Sequence, residues 1–187
     1  PDLEAIMAII ADEQVPIVFT SAGNPKLWTK WLHDKGIKVA HVVSNTTFAR
    51  RSEEAGIDVI VAEGFEAGGH NGREETTTFC LVPQVRAVTS LPLGAAGGIS
   101  SRSSFLAALA LGADGVQMGT RFALAAESSA HPAFKAYCRQ LKEGQTSLLF
   151  KKLTPIRLAD NPFAEAVKAA EARGDSVEAL QELLGKG

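Results

Sequence analysis

The chain of 187 residues contains only two cysteines, Cys80 and Cys138. Two cysteines are too few for a disulfide framework, and neither lies in a CxxC motif or a Cys/His array of the kind that binds zinc. We therefore expect two reduced thiols, as in a cytoplasmic protein, and no metal site.

Long apolar runs and clusters of like charge are also missing. The most apolar run, FLAALALGA at 105–113, is about half the length of a membrane span, and no basic segment followed by an apolar one opens the chain. The formal net charge is −2 and the basic residues are scattered, which leaves no electrostatic footprint for nucleic acid or an anionic membrane. The expected partner is a small molecule.

The residues that are present predict an α/β domain. Hydrophobic residues make up 45% of the chain and charged residues 21%, which suits a globular protein with a substantial core. Helical patterns without an antiparallel hairpin signal separate the apolar runs, so we predict a parallel sheet covered by helices. The runs that predict strands are VPIVFT (15–20), KVAHVV (38–43), DVIVAE (58–63), LPLGAA (91–96) and DGVQMG (114–119).

Helices are also predicted at the two ends of the chain. PDLEAIMAIIADEQ is typical of an amphipathic helix with Pro1 in its first turn, and two Ala- and Glu-rich helices flank Gly174 to Ser176. The five βα units between the ends fit either a doubly wound open sheet or the greater part of an eight-stranded barrel, and composition does not decide between them.

One loop is longer than the others. The third strand-to-strand interval exceeds its neighbours by about ten residues, and the excess is EGFEAGGHNGREETTTF at 63–79. Loops that follow strands in βα folds lie at the face that carries binding and catalytic groups. His70 stands there behind Gly68 and Gly69, so we predict a proton-transferring histidine that a ligand can approach closely, the alternative being a structural loop anchor. Glu63 and Glu66 are either site groups or solvated or backbone-binding carboxylates.

Two glycine turns follow the last two predicted strands. Gly97-Gly98 precedes serines that can cap a helix, and Gly119-Thr120 occupies the same place one unit later. Such turns can present backbone N–H groups to an anion, as in the phosphate site after strands seven and eight of a βα barrel. The alternative is that these glycines only relieve crowding in tight turns. If the strands are seven and eight, three strands precede Pro1.

Four motifs carry a family resemblance: TSAGNP, AEGFEAGGHNG, GAAGGIS and GADGVQMGTRF. They closely resemble the FMN-dependent nitronate monooxygenases, formerly 2-nitropropane dioxygenases, and the related flavin-type enoyl-acyl-carrier-protein reductases. The resemblance covers roughly residues 1–160 and implies a TIM-type (β/α)8 barrel, of which this chain would hold the last five units. Residues 1–150 would form a partial FMN-binding barrel and residues 151–187 a strand and helical extension.

The resemblance also implies roles for individual residues. His70 would be the catalytic acid/base, and a nitronate or an enoyl thioester would be the substrate, in an enzyme that would be a homodimer. Some monooxygenases of the family carry a lysine after the strand that here reads VVSN, where this chain has Asn45. The implied FMN-binding residues are Ala22, Gly23, Asn45, Glu63, Gly68, Gly69, Gly97, Gly98, Gly119 and Thr120.

The main functional prediction is a nitronate monooxygenase that uses O2. The first alternative is an enoyl-acyl-carrier-protein reductase with NADH or NADPH as reductant. A remote alternative is a barrel enzyme that binds a phosphorylated substrate without flavin, similar to the purine-nucleotide dehydrogenases, which have a comparable GGI turn. Those enzymes use a loop cysteine as nucleophile, whereas Cys80 is predicted to enter a helix. A scaffold without catalytic function is the remaining class.

Overall fold

A computed structural model describes residues 2–185 of the chain. Five parallel strands form its main sheet in the order β1-β2-β3-β5-β6, and three strands form a second sheet in the order β4-β8-β7. The strands are β1 Ile17–Ser21, β2 Lys38–Val43, β3 Val59–Glu63, β4 Gly69–His70, β5 Leu93–Ala96, β6 Gly115–Gln117, β7 Thr146–Leu149 and β8 Ile156–Ala159. The helices are α1 Leu3–Asp12, α2 Lys26–Asp34, α3 Thr46–Glu54, α4 Thr78–Arg86, α5 Arg102–Ala110, α6 Thr120–Ala123, α7 Pro132–Gln140, α8 Pro162–Arg173 and α9 Val177–Leu184.

The main sheet confirms the five predicted strands and their parallel direction. Its central strands are short apolar runs in register, with Ala40 opposite Val59 and Ile60 opposite Leu93. Ala40 and Ile60 are both fully buried, as expected of parallel strands that lie under helices. Helices α2 to α5 cover one face of this sheet through a shared core, in which Leu32 and Val82 are fully buried.

The second sheet corrects the prediction that the chain lacks an antiparallel hairpin. Strands β7 and β8 pair antiparallel, and β8 also pairs with the two-residue strand β4. The hairpin was missed because its connection, residues 150–155, contains no Asn-Gly or Gly-rich turn signal. Phe150 adopts the left-handed conformation there, with φ of 57°, and its ring is fully buried against α8 and α9.

Both predicted terminal regions are helical. Asp2 caps α1, whereas the predicted place of Pro1 in the first turn lies outside the described residues. Helices α8 and α9 form as predicted on either side of Gly174, which has φ of 78°. The proposed boundary at residue 150 stays a prediction; the second sheet takes strands from both sides of it. Within residues 2–185, no helix is both long and apolar enough to cross a bilayer.

Asp58 fastens α2 and β2 to the start of β3. Its carboxylate accepts hydrogen bonds from Lys38 Nζ, from the Val39 backbone N–H and from His33 Nε2, each at 2.8 Å. Burial alone would raise the pKa of Asp58, but the hydrogen bonds from Lys38, Val39 and His33 outweigh it and lower the pKa to about 2. The carboxylate therefore stabilises the folded chain.

We predict that Asp58→Asn lowers the free energy of unfolding by about 2 kcal/mol at pH 7, because charge-assisted hydrogen bonds are lost. A depressed folded-state pKa contributes stability above the unfolded value near 3.8, and this contribution disappears as the pH falls toward 2. Urea unfolding at pH 7 and pH 3 should therefore show a smaller deficit at pH 3.

Asp34→Asn is the matched control, since its i,i+4 ion pair with Lys30 is exposed and should contribute under about 0.5 kcal/mol. An Asp58→Asn deficit that is absent at pH 7, or equal at both pH values, would contradict the role given to this carboxylate.

Candidate functional site

The carboxyl ends of the parallel strands meet at one edge of the main sheet. Because all five strands run in the same direction, the loops after β1, β2, β3, β5 and β6 lie at this edge together. The loop after β3 and the turn after β5 are in direct contact there. Gly64 N–H donates to Ala96 O at 3.0 Å, and Thr78 Oγ1 donates to Ala96 O at 3.1 Å or Gly97 O at 2.9 Å.

This contact leaves no room for side chains on two glycines. A Cβ on Gly64 would lie 2.2 Å from Thr78 Oγ1, and a Cβ on Gly97 would lie 2.7 Å from Gly64 O. Gly97 also has φ of 100°, a conformation that other residues rarely adopt. The absence of a side chain at these two glycines therefore allows the loop after β3 to contact the turn after β5.

Glu66 is used structurally at the start of α4. Its carboxylate accepts a hydrogen bond from the Thr78 backbone N–H at 2.9 Å and lies 3.0 Å from Thr78 Oγ1, whose single proton can be donated to Glu66, Ala96 O or Gly97 O. A carboxylate at this position also interacts favourably with the N-terminal dipole of α4. Glu66 is therefore a backbone-binding carboxylate in this structure.

A first cavity, of about 410 Å³, lies over the strand ends of β3, β5 and β6. We call it the glycine-turn cavity. A Cβ on Gly68 or Gly119 would meet nothing within 4 Å, so the space above these two glycines is open. The polar and glycine residues that line the cavity are Glu63, Glu66, Gly68, Gly97, Gly98, Ser100, Gln117, Gly119, Thr120 and Arg121.

A second cavity, of about 290 Å³, contains His70 and is called the histidine cavity. Ala22 lies on it from the end of β1, and Thr154 from the β7–β8 connection. His70 is exposed, and its imidazole has no hydrogen bond within residues 2–185. Both ring nitrogens are therefore free to face a molecule that enters this cavity.

Glu63 is shared by the two cavities, because it lines both of them. It ends β3, and burial raises the pKa of its carboxyl group above the usual value. No other described residue donates a hydrogen bond to it or forms an ion pair with it. Burial thus makes protonation of this carboxyl easier than that of an exposed glutamate, and the protonated form can donate a hydrogen bond as well as accept one.

A family model described as nitronate monooxygenase matches residues 3–182. The chain belongs to the nitronate monooxygenase family. This confirms the resemblance read from the four motifs. Members of the family are flavin enzymes that act on small molecules.

Individual relatives show the same likeness. A probable nitronate monooxygenase from Staphylococcus saprophyticus is 35% identical over 167 residues, which cover 83% of this chain and 47% of the relative. FabK from Thermotoga maritima is 38% identical with a TM-score of 0.89, over 97% of this chain and 58% of that one. For nitroalkane oxidase from Streptomyces ansochromogenes the identity is 30% and the TM-score 0.76, over 87% and 50% of the two chains.

These likenesses confirm the predicted fold class, a TIM-type barrel of which this chain contains a part. The chain spans about half the length of the curated relatives it matches.

The structure gathers most of the residues predicted to bind the family's flavin. Gly68, Gly97, Gly98, Gly119 and Thr120 line the glycine-turn cavity together with Glu63. Ala22 lies with His70 on the histidine cavity.

The other three predicted flavin-binding residues lie elsewhere in the part of the chain that the structure describes. Gly23 lines separate cavities beside α2. Asn45 caps α3 by accepting from Phe48 N–H at 2.8 Å, and its Nδ2 donates to Glu74 at 2.7 Å. Gly69 is part of β4 and pairs with Arg157.

The residues of the site that were missed in the sequence include Arg121 and Asn71. Arg121 lines the glycine-turn cavity and could have been found as a basic residue directly after the Gly119-Thr120 turn. Asn71 is 8% exposed and donates from Nδ2 to Ala67 O and Gly69 O, both at 2.9 Å. Its Oδ1 is buried and has no partner within residues 2–185. An unpaired buried oxygen is unusual, and no sequence signal distinguishes it.

We predict that Glu63→Gln stabilises the flavin-free protein at pH 8 and has little effect at pH 4. A raised folded-state pKa makes the ionised carboxyl a cost above its unfolded pKa, and this cost is absent below that value, so only the higher pH should reveal a gain. Thermal unfolding at the two pH values measures the difference.

Glu66→Gln is the control and should lower the stability of the protein, because the Glu66 carboxylate accepts the Thr78 N–H at the start of α4. A Glu63→Gln protein that is less stable than the parent at pH 8 would refute the unfavourable burial of Glu63.

Proposed function

We propose that this chain provides the flavin site of a nitronate monooxygenase, which oxidises alkyl nitronates with O2, and that the flavin is FMN. The observation that carries this proposal is the pair of cavities at the strand ends that share Glu63, one formed by glycine turns and the other containing His70, in a chain of this family. Because the chain spans about half the length of its curated relatives, this activity is proposed for the whole enzyme.

The glycine-turn cavity fits the phosphate-bearing group. Its volume of about 410 Å³ lies in the range of small-molecule sites, which is roughly 300–1,000 Å³. The turn at Gly97 and Gly98, with φ of 100° and 67°, would hold the phosphate with Gly119 and Thr120. Arg121 adds a positive charge at the same cavity. Glu63 lines the same cavity, where burial raises the pKa of its carboxyl group.

When bound, flavin supplies the redox chemistry, and the protein supplies orientation and proton control. His70 would take the proton beside the nitro group of a neutral nitroalkane, or hold a nitronate in place, through an imidazole nitrogen. This role is supported by a position on the cavity wall with no competing hydrogen bond within the described residues. Thr154 lines the cavity from the hairpin side.

An enoyl-acyl-carrier-protein reductase that uses NADH or NADPH is the second candidate. It is favoured by the likeness to FabK and opposed by the likeness to nitroalkane oxidase and by the matched family. The flavin-free class with a cysteine nucleophile has less support, because Cys80 is on α4 and lines neither of the two cavities.

The proposal includes the domain division, the location and the oligomeric state. Residues 1–150 belong to the flavin-binding barrel and residues 151–187 to an extension. The two free cysteines fit a reducing, cytoplasmic location. The full-length protein is expected to be a homodimer.

We predict that Gly119→Val expels FMN from the full-length protein. Gly119 has φ of −86°, outside the left-handed region, and open space at its Cβ position, so a valine side chain there would extend into the cavity. Gly98 is a poorer probe, since its φ of 67° would strain any substitute. The ratio of flavin to protein absorbance after purification measures the loss.

Gly115→Val is the control, because Gly115 also has open space at Cβ but does not line the glycine-turn cavity. Full flavin occupancy in Gly119→Val would overturn the assignment of the phosphate to this turn.

We predict that His70→Ala keeps bound FMN and lowers the rate with a neutral nitroalkane by about 10²- to 10⁴-fold, the usual contribution of a positioned acid/base. A pre-ionised nitronate should lose less, because it needs no proton removal. If the enzyme is a reductase, flavin should still respond to NADH or NADPH, and transfer to the enoyl thioester should fail. Single-turnover flavin absorbance separates these results.

A His70→Ala protein that runs every half-reaction within about twofold of the parent would exclude His70 as the acid/base, since an essential proton transfer should cost well over 1 kcal/mol. Loss of flavin would instead assign His70 a structural role.

A further inference from the structure

The strand that carries His70 depends on a segment far along the chain. Strand β4 has two residues, and its partner is β8, with Gly69 opposite Arg157 and His70 opposite Ile156. The next residue continues the contact, because Asn71 N–H donates to Pro155 O at 2.8 Å. A two-residue strand has no stability of its own, so the β7–β8 hairpin determines where the His70 backbone lies.

The Arg157 side chain contacts Phe65, at the other end of the loop that carries His70. Its Nε donates to Phe65 O at 3.0 Å, and its guanidinium lies 5.2 Å from the centroid of the Phe65 ring, in a cation–π contact. Its Nη1 donates to Thr146 Oγ1 at 3.2 Å, which ties the side chain to β7. Residues 65 and 70 are therefore both attached to β8, one by a side chain and the other by backbone pairing.

Other contacts between the hairpin and this loop are weaker anchors. Lys151 pairs with Glu75 at 2.7 Å, but their side chains are 52% and 41% exposed, and such ion pairs contribute little. Arg73 is also exposed where it donates to Leu153 O. Arg157 is half-buried and makes three contacts, so it is the side chain on which the position of segment 65–70 depends most.

We propose that Arg157 is a positioning residue for His70. By holding Phe65 while β8 pairs with residues 69 and 70, Arg157 keeps the imidazole at one place on the histidine cavity. Acid/base groups lose most of their effect when they are misplaced by about 1 Å, so loosening the loop should slow proton transfer even though His70 is still present. The inference rests on the proposed role of His70, and Arg157 lines neither the histidine cavity nor the glycine-turn cavity.

The test compares Arg157→Gln and Arg157→Lys in the full-length, flavin-loaded protein. We expect Arg157→Gln to lower the single-turnover rate with a neutral nitroalkane by about 10- to 100-fold, with flavin affinity changed by less than about threefold. Arg157→Lys should recover part of the rate, because an ammonium can still donate to Phe65 O. Arg173→Gln is the matched control: it removes an arginine paired with Asp175 between α8 and α9, and should leave the rate unchanged.

A double variant separates positioning from a general structural effect. In a His70→Ala background, Arg157→Gln should slow the reaction by less than about twofold, because the residue acts through His70. A further loss as large as in the parent would overturn the proposal, and so would an Arg157→Gln protein with the parent's rate.

Hydrogen exchange gives a readout that does not need turnover. The Asn71 amide, which donates to Pro155 O, should exchange faster in Arg157→Gln, whereas amides of β2 and β3 should keep the parent's rates. If the parent itself fails to turn over nitroalkane or nitronate, the proposed function is wrong, and hydrogen exchange still decides whether Arg157 holds the loop. Unchanged exchange at Asn71 would overturn the inference.

Discussion

The site depends on the close approach of two backbone segments, at Gly64 and at Gly97, around the hydroxyl of Thr78. No side chain fits at either glycine, since each Cβ would lie within 2.7 Å of a neighbouring atom. This approach joins the loop after β3 to the turn after β5. Glu63, at the end of β3 beside this contact, lines both the glycine-turn cavity and the histidine cavity.

Unpaired polar groups collect at the same edge of the sheet. The Glu63 carboxyl group is partly buried without an ion pair or hydrogen bond from another described residue, and Asn71 Oδ1 is buried without a partner there. Folding alone gives no reason to keep either group, because burying polar atoms without hydrogen bonds costs free energy. Perturbed and unpaired groups in a cleft are typical of a binding or catalytic site, which agrees with the placement of His70.

Much of this arrangement is local in sequence and could be predicted from it. The five strands are short apolar runs, and the turns that follow two of them are predicted by Gly97, Gly98 and Gly119. The pairing of β4 with β8 could not be predicted, because a two-residue strand has no periodicity and its partner lies more than eighty residues away. The sequence does not distinguish the roles of Glu63 and Glu66. Their roles differ because the Thr78 N–H donates a hydrogen bond to the Glu66 carboxylate.

The central claim is that the site at the carboxyl ends of the parallel strands binds FMN and oxidises a nitronate. Anaerobic stopped-flow mixing of the flavin-loaded, full-length protein with an alkyl nitronate, and separately with NADH or NADPH, tests it most directly. The account predicts rapid loss of flavin absorbance with the nitronate and no comparable loss with the nicotinamides. Loss with NADH or NADPH that an enoyl thioester then reverses, together with no response to the nitronate, would contradict it.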